Sequence, residues 1–206
     1  MKIRNLIIAM LLCPMLAVAQ KIDMSKYLAG AVPQNELGIV VFQNSYEVPG
    51  KTKSEIYQSL KEYTQNEILK GPNALTQCRF VEQDEDGGLL AARVDENLYF
   101  TRKAWVSHKT RVFYELIYNI SDGKFDVEMR RIHYLYDEQE TPNSKPLSFT
   151  AEEWITDKEA LTKKGKLLRR AKNFRIYTIE RKNEIFRGAA KAAGAKIKTK
   201  MVEVEE

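Results

Sequence analysis

The stretch RVFYELIYNISDGKFDVEMRRIHYLYDE, residues 111–138, decides the fold. Val112, Tyr114, Leu116, Tyr118 and Ile120 alternate with Phe113, Glu115 and Ile117, the period of two that turns one side of a strand toward a core. Ser121-Asp122-Gly123 supplies a hairpin turn in which glycine can take a positive φ. Phe125, Val127 and Met129 answer on the returning strand, and the apolar face then passes to Ile132, Tyr134 and Tyr136. A slip of one residue between two runs of alternation predicts a β-bulge near Arg130-Arg131. Strands joined by so short a turn are antiparallel.

Upstream, GIVVFQNSYEV (38–48) reads as a strand with Val40, Phe42, Tyr46 and Val48 on one face, closed by the turn Pro49-Gly50. TKSEIYQSLKEYTQNEIL (52–69) reads as a helix capped by Thr52 or Ser54. Ile56, Leu60, Tyr63 and Glu67/Ile68 follow one side of it, and Gly71-Pro72 stops it. TQCRFVEQ (76–83) alternates weakly, DEDGG (84–88) is a turn, and 89–102 is one bent strand or two short ones. Downstream, 141–150 is a Pro/Ser connector, and Thr150 with Glu153 forms a capping box. Gly165 divides the helical remainder into a short helix near 151–163 and a long one near 166–192. Ile176, Ile179, Phe186 and Ala190 line one stripe of the long helix. The order strand, helix, four strands, helix predicts an α+β fold: a two-layer antiparallel sheet with helices on one face, over residues 37–192.

The ends carry different information. Lys2 and Arg4, an apolar run from Leu6 to Leu16, and Ala17-Val18-Ala19 make the three-part layout of a cleaved signal peptide over 1–19. The expectation is an exported protein, periplasmic or secreted, with an arm at 20–36 and a flexible tail at 193–206. Cleavage would leave Cys78 as the only cysteine, so no intramolecular disulfide could form and stability must come from packing. The formal net charge is +5, unevenly spread. Residues 20–150 hold 16 basic and 19 acidic side chains, and 151–206 hold 15 and 9.

Little in the chain points to catalysis. G-x-S-x-G, P-loop and G-x-G-x-x-G patterns are missing from the sequence, and neither His108 nor His133 has partners at metal-ligand spacing. A hydrolase built on Cys78 and a histidine would need folding to join distant residues. No cofactor is expected, and a non-enzymatic binding or envelope-associated module is the preferred reading. The segment LTKKGKLLRRAKNFRIYTIERK (161–182) has nine Lys or Arg against one acid. Its basic residues keep helical spacing around an apolar stripe, as a solvated helix face does. Arg169, Arg170, Lys172 and Arg175 are therefore expected on the solvent side, giving at most weak contact with an anionic surface, and nucleic acid is not expected as a partner. Tyr114, Tyr118, Tyr134 and Tyr136 offer apolar bodies with polar tips. They suit a half-exposed sheet face or, alternatively, a small apolar ligand held between helix and sheet.

GIVVFQNSYEVPGKTKSEIYQSLKEYT, the Tyr-rich hairpin ending in IHYLYDE, and EEWITDKEALTKKGKLL together resemble the domain of unknown function numbered 4468, secreted proteins common in the Bacteroidota. The similar features are Glu47-Val48-Pro49-Gly50 after the first strand and the helix start from Lys53 to Tyr57. The resemblance covers about residues 37–190. It implies a TBP-like fold with the same element order, and no known activity, catalytic residue or cofactor.

Overall fold

The alternation on residues 111–120 becomes the middle strand of a sheet. The structure, a computed structural model, describes residues 23–103, 106–137 and 145–196. The expected signal peptide and the last ten residues of the expected tail lie outside the described residues. The elements in chain order are β1 (Val41–Glu47), α1 (Lys53–Tyr63), β2 (Arg79–Asp84), β3 (Leu89–Lys103), β4 (Val106–Ser121), β5 (Lys124–Tyr136), β6 (Leu147–Thr150), α2 (Ala151–Trp154), α3 (Asp157–Ala160) and α4 (Arg169–Ala193). The strands stand in the order β1-β5-β4-β3-β2, all neighbours antiparallel, and β6 pairs with the far end of β5. This is a six-stranded α+β fold.

Each local device has a visible cause. Phe113 pairs with His133 but Glu115 pairs with Arg130, so Tyr114 faces two residues of β5. This is the expected bulge, and Arg131 absorbs it with a φ of 53°, the one positive value at a non-glycine residue among those described. Thr52 and Glu55 close a capping box on α1. The helix then widens into a π-turn over Thr64–Leu69, which brings Thr64, Ile68 and Leu69 inward together. The capping box of Thr150 and Glu153 forms as expected. The connector before it is not all loop, because its last four residues are β6. The short helix expected near 151–163 is two single turns, broken where buried Ile155 and Thr156 turn the chain. Gly165, with φ 73°, sits in a small loop closed by a bridge between Leu161 and Leu167.

Even-numbered positions on β3 and β4 face the helices. Leu90, Val94, Leu98, Val112, Leu116 and Ile120 are buried there, against α1 and α4. Burying one such side chain contributes about 1.5–3 kcal/mol. Gly188 of α4 packs directly against Tyr63 of α1. A Cβ there would lie 2.1 Å from the Tyr63 hydroxyl, which donates to the Ile185 carbonyl at 3.1 Å. Burial pushes the Tyr63 pKa up to about 12. One charged group also crosses this layer. Buried Glu96 takes a two-pronged bond from Arg181, at 2.9 and 2.8 Å, and accepts the Tyr114 hydroxyl at 2.9 Å.

Arg175 corrects the sequence reading. It was expected in solvent and is fully buried. Its Nε donates to the Tyr27 carbonyl, Nη1 to Ile155, and Nη2 to Leu28 and to Asp157 Oδ1, all at 2.6–2.7 Å. The planar fork matches carbonyls that the arm cannot pair by itself. The arm is therefore fastened: Tyr27 and Val32 are core residues, and the Tyr27 hydroxyl donates to Glu180. At the other end α4 closes on Gly194, with φ 78° and the Ala195 amide bonded back to the Ala190 carbonyl.

Candidate functional site

The tyrosines named from the sequence lie on the helix-covered face. Tyr114, Tyr118 and Tyr134 are 2% exposed or less. Their hydroxyls pair with Glu96, Thr64 and Thr178, and burial raises all three pKa values. They are core residues rather than a half-exposed face. Tyr136 is half-buried, with His108 Nε2 at 2.8 Å from its hydroxyl and Phe174 edge-on to its ring. On the first turn of α4, Arg169, Arg170 and Lys172 are exposed. Arg170 lies over the Trp154 ring and 3.6 Å from Glu159.

The Cys78–histidine pair is not formed. The Cys78 thiol donates to the Asp95 carbonyl at 3.0 Å and accepts its amide at 3.3 Å. Burial pushes the thiol pKa up, which disfavours the nucleophilic thiolate. His108 is held by Tyr136, and His133 stacks on Phe113 with ring centres 4.3 Å apart. Among the described residues, no group of three or more His, Cys, Asp or Glu could hold a metal ion.

The distinctive chemistry is on the other face of the sheet, at the odd positions of β3 and β4. No described helix packs there, and the strand register sets polar groups in rows. One row is Arg79, Arg93, Glu115 and Arg130 across β2, β3, β4 and β5, about 14 Å from end to end. The bulge adds Arg131 beside them. Arg93, Arg130 and Arg131 approach the Glu115 carboxylate at 3.8, 3.4 and 2.9 Å, and Arg130 also lies 3.2 Å from Glu128. Three arginines thus share two carboxylates, while Arg79 donates to the Gln77 carbonyl. The Glu115 side chain is 13% exposed while that of Arg131 is 67% exposed, so the spare positive charge lies at the surface.

The next row is Asp95, Phe113 and His133. Asp95 is buried and takes two bonds from Arg111, at 2.7 and 2.6 Å. The Arg111 guanidinium lies 4.7 Å from the centre of the Phe113 ring, so arginine, phenylalanine and histidine are layered along the face. Burial draws the His133 pKa below its ordinary 6.5, so the ring is neutral at pH 7. Beside the arginine row, the arm hairpin and the sheet edge enclose a groove of about 590 Å³. Pro33, Gln34, Asn35 and Ile39 form one wall, and Val41, Gln43, Glu128, Arg130 and Arg131 form the other.

The sequence reading did not single out this face. Its arginines are scattered over 79–131 and meet only when the register aligns them. The available signal was the polar half of each alternation, where Arg93, Arg111, Glu115 and Arg130 occupy positions opposite the core residues.

A family model described as a domain of unknown function (DUF4468) with TBP-like fold matches residues 42–135. A solved DUF4468 family protein from Bacteroides ovatus is 31% identical, with a TM-score of 0.73, covering 86% of this chain and 98% of that one. A TBP-like protein from Parabacteroides distasonis is 19% identical, with a TM-score of 0.65, covering 80% and 99%, and speaks to the fold alone. No curated protein matches the chain.

Proposed function

Because the chain belongs to the DUF4468 family, defined by a TBP-like fold and an unknown function, we propose that it is an exported, non-enzymatic binding module whose open sheet face receives an acidic partner. The observation that carries this reading is the cluster of three arginines, Arg93, Arg130 and Arg131, sharing Glu115 and Glu128 on a face that no described helix covers. Excess guanidinium charge on a flat surface attracts anions and orients planar ones. Export is supported by the layout of residues 1–19 and would place the partner in the cell envelope or outside it.

The test is a titration of the chain from Gln20 with poly-glutamate, followed by amide chemical shifts at low salt. The expected shifts fall on odd positions of β3 and β4 and on Arg130 and Arg131. Shifts confined to Arg169, Arg170 and Lys172 would move the function to the start of α4, and no shifts at all would sink the reading. Export is tested separately: the native protein should begin at Gln20 by mass spectrometry, and an intact Met1 would refute it.

A further inference from the structure

We infer that the groove between the arm hairpin and the bulged strand is a binding site for a small amphiphilic carboxylate, its head on Arg131 and its apolar body along Ile39 and Val41. The inference rests on the open-face reading above and narrows it to one place and one ligand class.

Three observations converge. The first is the backbone at Arg131. A φ of 53° is the left-handed region, unfavourable for a residue with a side chain and open to glycine. An arginine here is therefore held against local preference. What the bulge gains is a guanidinium turned out from the sheet, with one bond to Glu115 and most of its surface in water. An arginine carries five N–H donors, so several stay available for a two-pronged bond to a carboxylate.

The second is charge. Arg93, Arg130 and Arg131 share only Glu115 and Glu128, the latter a groove residue already paired with Arg130, and Arg131 is the most exposed of the three. A ligand carboxylate at Arg131 would offset that excess without displacing Glu115 from Arg93 and Arg130.

The third is the groove's other wall. Ile39, on that wall, is 39% exposed, one of the four large apolar side chains most open to solvent among the described residues. Asn35 holds the turn in place, its Oδ1 accepting the amides of Leu37 and Ile39 at 3.0 Å. A volume of about 590 Å³ is within the range of small-molecule sites. A polyanion would use the arginine row and leave this apolar wall wet, whereas a carboxylate with a short alkyl or aryl body uses both.

The experiment is isothermal titration of the chain from Gln20 with octanoate, octanol and acetate, repeated on Arg131→Gly, Arg131→Asn and Ile39→Ser. Glycine and asparagine both accept the left-handed backbone, so the fold should survive, and circular dichroism checks that it does. Octanoate should bind, and lose about ten-fold or more in affinity in both Arg131 variants. Ile39→Ser should also weaken it, and octanol and acetate should bind far more weakly. Equal binding of acetate and octanoate would leave an anion site and overturn the amphiphile assignment. Octanoate binding unchanged in both Arg131 variants would place its site elsewhere and overturn the inference. No octanoate binding, with poly-glutamate still shifting the open face, would refute this inference and leave the binding-module reading standing. Loss of both would refute both.

Discussion

The two faces of β4 are built from alternate residues of one strand, yet they obey different physics. On the helix side, Tyr114, Leu116 and Tyr118 are 2% exposed or less, and the one carboxylate among them, Glu96, is locked to Arg181 and Tyr114. On the open side, Arg111, Phe113 and Glu115 are only partly covered, and Glu115 is shared among three guanidinia at looser distances. A charge on the first face is compensated in place by a single tight arrangement. On the second, Arg111 matches buried Asp95 as tightly, but the guanidinia around Glu115 outnumber the carboxylates they share and lie near water. The fully buried side chains are concentrated on one side of the sheet and the more exposed charges on the other.

Mutations can break that division. The largest effect is expected from Glu96→Ala, which removes the buried partner of Arg181 and leaves it only the exposed Glu184. Chemical denaturation should show a loss of about 3–5 kcal/mol, and a loss below 1 kcal/mol would mean the pair is wetter than the structure shows. Leu116→Ala should lose about 2–5 kcal/mol, while its neighbour Ile117→Ala, on the open face, should lose much less. Equal losses would abolish the distinction between the faces. Gly188→Ala sharpens the comparison from the helix layer. Alanine is the better helix former, but its Cβ would meet the Tyr63 ring, so a net loss of about 1–3 kcal/mol is expected in place of the usual gain. A stabilised Gly188→Ala protein would show that Tyr63 moves aside freely.

The smallest effects should come from the open face. Arg131→Gly relieves a left-handed arginine, and its thermal midpoint should stay level or rise slightly. A clear fall would show that the Glu115 contact holds the sheet together. His133 gives a pH signature. Burial lowers its folded pKa below the unfolded 6.5, so its contribution is complete above pH 6.5 and is lost as pH falls toward the folded value. His133→Gln should flatten the thermal midpoint against pH between 8 and 5, and an unchanged slope would assign that dependence to other groups.

Much of this was legible in the sequence wherever one physical rule dominated. Alternation exposed β4 and the near half of β5, the slip after Met129 exposed the bulge, and Thr150 with Glu153 exposed a helix start. The failures share a cause: the deciding partner is distant in sequence. Arg175 follows the spacing of a solvated helix face, and its acceptors, Ile155 and Asp157 about 20 positions away and Tyr27 and Leu28 almost 150, make it a core residue. The tyrosines were placed on the strands correctly, but their partners Thr64 and Thr178 come from other elements and decide that they are packed. β6 is too short to show a period and exists because β5 offers it an edge. The arginine row required register, which alternation alone does not supply.

The pairing of β1 has a consequence for the order of folding. Strands β2 to β5 are a meander in which each pairs with the next, so their contacts close short loops. β1 pairs with β5 across 77 to 89 positions. Closing that longer loop loses more chain entropy before any contact compensates it. The strand made first should therefore be among the last to pair, leaving the side of β5 that it covers open as a template for other strands in the meantime. Pulse-labelled amide exchange should protect β3 and β4 before β1, and simultaneous protection of all three would mean that β1 belongs to the nucleus.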